Sequence, residues 1–428
     1  LQKQGFCVVA VVIFYTQFIF PKKSLVSYSN KTFLKDVFLI TISAFGGPQA
    51  HLVLFFEYLV NKRKYLSEEE LTELIALCQM LPGPSSTQTL LAIAYKKGGF
   101  KLAMLTLLIW MLPAFIIMTA IALFVTQFKY LPEMSKTLQI AQFIQPMAVG
   151  FVGYGAVKIT QKLVNTKTGI ALLIFSALAT YLLRSPWAFP AVVVIGGLVT
   201  ALKYEKQEKM EKKKFVISWR YFIVYGGVFI IVASLGLITK SMPNSESISL
   251  PIRLFENFYR NGSLIFGGGQ VLVPALYNEF VAFKKYLSSD EFLSGYALAQ
   301  AVPGPVFAFS GYIGGLSMRN FGTWGIFVGS FVASAGIYLP GAFILFFVLK
   351  FWEQLKLYRP VRASLEGINA VSAGMVVAAI FTISENITPN FTNIAVMLFT
   401  FSALMFTKLA PPIIILIGIA GGIGFSLL

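Results

Sequence analysis

Apolar residues run along this chain in uninterrupted blocks of about twenty, the length a helix needs to cross ~30 Å of hydrocarbon. Short clusters of Lys and Arg separate the blocks. The blocks are continuous rather than alternating, which excludes a β-barrel. They predict spans near 37–60, 101–127, 138–163, 169–183 and 187–202, then 220–239, 254–281, 291–318, 321–350, 363–384, 391–407 and 411–428. Residues 67–80 form a less apolar helix: Ser67 is its N-cap, and Glu68, Glu69 and Glu70 place acids in its first turn, where the helix dipole favours them. The fold class is an all-α polytopic membrane protein of about 12 to 13 spans. Residues 6–20 are apolar but short and are left outside the fold as an N-terminal segment, 1–31, read as a signal-like remnant, an interfacial piece or a partial span.

Helix breakers interrupt this pattern, and the interruptions recur. Phe45-Gly46-Gly47-Pro48-Gln49-Ala50-His51 is followed by Gln79-Met80-Leu81-Pro82-Gly83-Pro84. Phe266-Gly267-Gly268-Gly269-Gln270 is followed by Gln300-Ala301-Val302-Pro303-Gly304-Pro305. A constant offset of 221 carries Phe45 to Phe266, Tyr65 to Tyr286 and Pro84 to Pro305 without a gap. Proline removes a helical N–H and clashes with the preceding turn, and glycine admits angles other residues avoid. Each interruption therefore predicts two half-helices meeting at a non-helical corner, which lipid tolerates only where it is packed in protein or lines a wet cavity.

The chain then divides into a first repeat at 32–202, a basic linker at 203–219, a connecting span and loop at 220–253 and a second repeat at 254–428. With the linker in the cytosol, six spans precede it, the broken segment that begins at Ser67 counted as one, and one crossing per span puts Lys22, Lys23, Lys31, Lys35, Lys96, Lys97, Lys101, Lys284, Lys285 and Lys408 inside. Lys62-Arg63-Lys64 is the main exception. The odd number of spans before the second repeat inverts it relative to the first, a recurring build for secondary transporters.

The net charge of +17 follows from 35 basic against 18 acidic residues and is read as this positive-inside excess in an inner membrane. No basic stripe with interleaved aromatics indicates a nucleic-acid surface. Cys7, Cys78 and the single histidine, His51, make no disulfide framework or multi-histidine metal centre. No phosphate loop or H-E-x-x-H occurs, and Gly267-Gly268-Gly269 lies in a span rather than in a dinucleotide fold. No metal, no cofactor and no enzymatic activity are expected.

A half-helix that starts in mid-membrane points unpaired N–H groups and its positive dipole end at the space before it, a ready anion site. No Arg or Lys is expected at mid-depth, so backbone is the best anion ligand. Ser85, Ser86 and Thr87 add hydroxyls in the first repeat, where the second has Val306, Phe307 and Ala308. Gln49, Gln270, Gln79 and Gln300 either contact the ligand or satisfy freed backbone groups. His51 is either a packed histidine or a protonatable group that binds a dianion or couples protons. Glu57 and Glu279 are proton-coupling candidates, or interfacial carboxylates.

These motifs, with the Leu-Pro pairs at 112–113 and 339–340, resemble the chromate ion transporter family in its long, two-domain form, over about residues 32–428. Tyr65 and Tyr286 stand where that family usually has another aromatic, often Trp. The resemblance implies secondary transport of chromate, usually efflux giving resistance, with sulfate as its structural mimic. It implicates Gly46, Gly47, Pro48, His51, Pro82, Gly83, Pro84, Gly267, Gly268, Gly269, Pro303, Gly304 and Pro305. The partners expected are the oxyanion, the lipid bilayer and a second copy in a homodimer. Rival readings are a sulfate importer, an anion channel, and a membrane enzyme or scramblase acting on phosphorylated lipids.

Overall fold

The computed structural model describes residues 29–45, 47–128, 134–183, 185, 188–203, 219–240, 246–266, 269–349, 359–385, 387–407 and 409–426. The expected N-terminal segment and basic linker fall almost wholly outside these residues. So do Gly46, Gly267 and Gly268, and the side chains of Pro48, Gln49 and Gln270.

In the first half, α1 is Asn30–Ser43, α2 is Gly47–Phe55 continued by a π-helical turn Phe56–Lys62, α3 is Glu68–Met80, and α4 is Ser85–Phe128. Then come α5 (Met134–Leu163), α6 (Lys167–Leu183) and α7 (Ala188–Ala201). A connecting helix, α8, is Trp219–Lys240. The second half repeats the order. Here α9 is Glu246–Leu264, α10 is Gly269–Tyr277 with a π-helical turn Asn278–Phe283, and α11 is Ser289–Ala301. A 3-10 turn Val306–Ala308 leads into α12 (Phe309–Ser317), followed by α13 (Gly322–Val348), α14 (Arg359–Ser384), α15 (Phe391–Phe406) and α16 (Pro411–Ser426).

Local chemistry repeats with the residues. The predicted cap forms as a capping box: Glu70 N–H donates to Ser67 Oγ at 3.1 Å and Ser67 N–H to Glu70 Oε2 at 2.9 Å. Ser288 and Glu291 form its partner at 3.1 and 3.0 Å. The left-handed lysines Lys64 (φ 53°) and Lys285 (φ 54°) end the two π-turns in register.

Each broken segment, counted from the sequence as one crossing with re-entry left open, doubles back. Phe33 of α1 meets Tyr65 beyond α2 with ring centroids 5.3 Å apart, and Phe258 of α9 stacks on Phe280 at 4.6 Å. Such contacts require α1–α2 and α9–α10 to be hairpins whose tips are the breaks. The second pair of breaks behaves the same way. Phe292 of α11 packs edge-on against Phe309 of α12 at 4.9 Å, and Cys78 of α3 is hydrogen-bonded with Thr89 near the start of α4. The 44 residues of α4 are themselves two helices joined at Gly98 and Gly99 (φ 68°). Trp110, as far beyond this bend as Thr87 lies before it, donates to Thr87 Oγ1 at 3.0 Å, so α4a (85–97) and α4b (100–128) are antiparallel. Gly322 (φ 69°) makes the matching turn between α12 and α13.

Around these hairpins lie α5, α6 and α7 with α14, α15 and α16. Helix α14 packs on α5, α6 and α7, while α15 and α16 cover α5. Lipid gives apolar helices no hydrophobic reason to associate, so close approach of backbones carries the packing. A Cβ on Gly367 of α14 would fall on the Gly196 carbonyl of α7, and Ser176 Oγ of α6 donates to the Val371 carbonyl at 3.0 Å. Outward faces are apolar: Leu108, Leu182, Ile230, Phe331, Leu398 and Leu416 are all more than half exposed. A belt of that kind on so many helices belongs against lipid.

Gly367→Ala should lower the detergent melting temperature clearly, by overpacking of about 1–3 kcal/mol. Gly226→Ala on α8, with nothing within 4 Å of the added methyl, should leave it unchanged or slightly raised. Thermal-shift curves on the two purified variants measure both.

Candidate functional site

The four hairpin tips meet. Each Pro-Gly-Pro stretch bends so that its glycine amide leaves its own half and bonds to the other. Gly83 N–H donates to the Ile265 carbonyl at 2.7 Å, and Gly304 N–H donates to the Ala44 carbonyl at 2.8 Å. The offset of 221 relates both donors and both acceptors, so this is one contact made twice, reciprocally. Both glycines sit in the left-handed region, at φ 109° and 113°. Their surroundings leave little room for a side chain. A Cβ on Gly83 would lie 3.1 Å from Gly341 Cα, and one on Gly304 would lie 3.2 Å from Ala114 Cβ. Gly341 and Ala114 each follow the proline of a Leu-Pro pair, so those pairs form the wall behind the opposite tip.

Helices start at Gly47, Ser85 and Gly269, and a helical turn at Val306. The residue ahead of Ser85 is Pro84 and the residue ahead of Val306 is Pro305; neither side chain can cap a helix. The first N–H groups of these helices therefore have no intrahelical acceptor. Val306 lies close to both GG breaks: a Cβ on Gly47 would be 3.8 Å from its Cγ2, and one on Gly269 would be 3.7 Å from its Cβ. Pro82, Gly83, Pro84, Gly304 and Pro305 are buried, whereas Ser85 and Pro303 are half-buried.

The polar lining belongs to the first half, as the sequence indicates. His51, fully buried on α2, holds Nδ1 3.1 Å from Ser86 Oγ. Its ring stands edge-on to Trp110 at 5.2 Å. Thr87 accepts from Trp110 and keeps its own O–H to donate. At the 221-related positions the second half has Leu272, Phe307 and Ala308.

Sequence reasoning passed over Gln88 and Trp110. Gln88 Nε2 donates to Pro82 O at 2.8 Å and to Gly341 O at 2.9 Å, tying the first Pro-Gly-Pro corner to α13. The run Ser85-Ser86-Thr87-Gln88-Thr89, five polar residues opening an apolar helix, was its signal. His51 Nε2, Gln300 Nε2 and the Tyr338 hydroxyl are buried without a partner among the described residues, and so is the acceptor Gln88 Oε1. Gln300 sits at the end of α11, and the Tyr338 ring is 6.1 Å from Phe307. An amide N–H and a phenol O–H are donors, and imidazole Nε2 is one in one tautomer.

The two carboxylate candidates lie elsewhere, at the open ends of the first hairpins. Glu57 is partly exposed and accepts from Asn61 at 3.2 Å. Glu279 is buried and paired with Arg260 at 3.1 Å and Lys284 at 3.5 Å. Arg260, a cation within the predicted span 254–281, is one turn from the end of α9 and is paired with Glu256 and Glu279.

Broken helices converging by their N-termini inside a bundle of lipid-facing helices define a multi-pass membrane ion transporter. The chain belongs to the chromate transporter family, whose model matches residues 32–201 and 252–425. It is similar to a probable chromate transport protein of Synechococcus elongatus, 25% identical over 93% of this chain and 96% of that one. It is similar to a chromate transport protein of Cupriavidus metallidurans, 24% identical over 87% of each. An uncharacterized transporter of Methanocaldococcus jannaschii is 26% identical over 73% of this chain and 74% of its own length. No solved structure matches. The class is transport, not catalysis.

Gln88→Leu should leave two buried carbonyls unpaired, at about 1–3 kcal/mol each. A fall in detergent melting temperature well beyond that of Thr89→Val is the expected outcome. Equal melting would mean that the amide does not hold the corner.

Proposed function

We propose that this protein is a secondary transporter that exports chromate across the inner membrane, with sulfate as the competing dianion. The reciprocal Gly83–Ile265 and Gly304–Ala44 bonds carry the reading, because they gather helix N-termini from both halves at one place. The anion binds there, held by the N–H groups of Ser85–Thr87 and Gly47, with His51 and the Ser85, Ser86 and Thr87 hydroxyls on the polar side. The unpartnered donors on Gln300 and Tyr338 support the same reading, since a deprotonated oxyanion offers only acceptors. Alternating access comes from the two repeats, inverted in the membrane, exchanging roles. His51, at the tips, is the proton-coupling candidate closest to the anion.

The hairpins change the count of sides. If α1–α2 and α3–α4a each enter and leave by one face, Lys62-Arg63-Lys64 joins Lys96 and Lys97 on the cytosolic side with the 203–219 linker, and the first-half exception disappears. Lys284 and Lys285 then lie outside, each half's hairpins entering from its own face. In a chain lacking Cys7, Glu69→Cys and Asp290→Cys occupy equivalent exposed positions. A membrane-impermeant thiol reagent should label Asp290→Cys from outside and Glu69→Cys only after the cells are opened. Labelling of both from one side rules out the inverted arrangement.

Cells carrying the protein should accumulate less chromate than cells without it, with sulfate reducing the difference. In reconstituted vesicles Ser86→Ala should weaken chromate transport about tenfold, the loss of one hydrogen bond to a charged group. Gly83→Ala, strained at φ 109°, should weaken it further. Wild-type exchange rates from both variants would exclude this site.

A further inference from the structure

The two arms of each first hairpin are tied to one another by an ion pair with a buried carboxylate, and the two halves make that tie with different residues. In the first half Asp36, on α1 and 1% exposed, accepts from Arg63 Nη2 at 2.5 Å and from the Tyr65 hydroxyl at 2.7 Å, both beyond α2. In the second half Arg260, on α9, donates to Glu279 in the π-turn after α10 at 3.1 Å. Lys284 adds a second cation to Glu279 at 3.5 Å, and Glu256 holds Arg260 Nε at 3.0 Å.

Duplication alone does not produce this. At the 221-related positions Asp36 becomes Asn257, Arg260 answers to Leu39 and Glu279 to Tyr58. The cation beyond the second arm persists, as Arg63 and Lys284, and so does the tyrosine two residues on, as Tyr65 and Tyr286. The carboxylate has moved from the first arm to the second, and a guanidinium has taken the first arm. The polarity of the tie is reversed and the tie remains. Two residue sets arriving at one link between the same two arms point to the link as what matters.

We propose that Asp36 with Arg63, and Arg260 with Glu279, are positioning residues for anion transport. They set the angle between the arms of each first hairpin, and so where the helix starts at Gly47 and Gly269 stand relative to the anion. The ties belong to the transport cycle rather than to binding: each half opens by parting its own pair. This rests on the reading that an oxyanion moves at the hairpin tips. Removing one partner of a buried pair leaves an uncompensated charge, so a single neutral variant disturbs the arm angle strongly.

Chromate exchange in vesicles of the full chain, with chromate binding followed separately by quenching of tryptophan fluorescence, tests the proposal. Arg63→Gln cuts the first tie from its 27% exposed end, which is the end that tolerates change; Glu279→Gln cuts the second. Each should lower maximal exchange about tenfold while the chromate KM and binding constant change less than about twofold. Arg63→Lys should retain most of the rate. Asp36→Asn should behave as Arg63→Gln does, provided its melting curve shows it folded. A folded Arg63→Gln with wild-type maximal exchange overturns the proposal, and so does an equal loss in Arg63→Lys. So does a variant whose whole defect is in KM. A wild-type protein that exchanges neither chromate nor sulfate defeats the transport reading itself and is told apart by that control.

Discussion

Everything in this molecule answers to one constraint: a backbone that leaves the helix inside a membrane must still find partners for its N–H and C=O groups. Hydrocarbon offers none, and an unpaired group there costs several kcal/mol. Each half of the chain creates such groups at its breaks and cannot satisfy them alone. The Gly83 amide needs the Ile265 carbonyl, and the Gly304 amide needs the Ala44 carbonyl. The two sets of breaks are therefore halves of one junction rather than two junctions side by side. Gly83 fits tightly against Gly341 and Gly304 against Ala114, so a side chain on either glycine would push its tip off the Leu-Pro wall of the other half.

That mutual dependence leaves the rest of each repeat free to diverge, and it has. The first half surrounds its tip with three separate polar contacts, His51 with Ser86, Trp110 with Thr87 and Gln88 with the Pro82 carbonyl. At the 221-related positions the second half has Leu272, Phe307, Ala308 and Phe309, the last packed on Phe292 and Tyr296. A polar wall facing an apolar one is a common form for a small-ligand site. The apolar side excludes water and strengthens each remaining electrostatic contact, and the polar side fixes orientation.

Much of this was legible in the sequence. Long apolar blocks fixed the class, Ser67 with Glu70 fixed a helix start, and the register of the two Gly-Pro sets located the tips to the residue. What was not legible was direction. A helix interrupted by Gly-Gly-Pro can kink and continue or can fold back, and local chemistry is the same in both cases. The difference lies in contacts such as Phe33 with Tyr65 and Phe258 with Phe280, made between residues far from the break. Glycines 98 and 99 pose the same problem in reverse, since a sharp reversal there reads as an ordinary loop between spans. Arg260 was hidden differently. It lies inside a predicted span, 254–281, and nothing in the sequence pattern says which carboxylates meet it. Only its pairing with Glu256 and Glu279 shows how the charge is kept.

The strength of the tip contact sets how the halves can move. Two amide–carbonyl bonds contribute about 0.5–1.5 kcal/mol each when water can replace them, and several times that when it cannot. Relative motion of the halves that broke both bonds in a dry interior would therefore be slow. Motion in which an incoming acceptor takes over the freed N–H groups carries no such cost. Water entering from the opened face is one such acceptor; an oxyanion, with oxygens in every direction and no proton to donate, is a better one. Under the proposed function, the corner that holds the two halves together is the one the anion would release, which would couple opening to occupancy without a charged side chain at the tips.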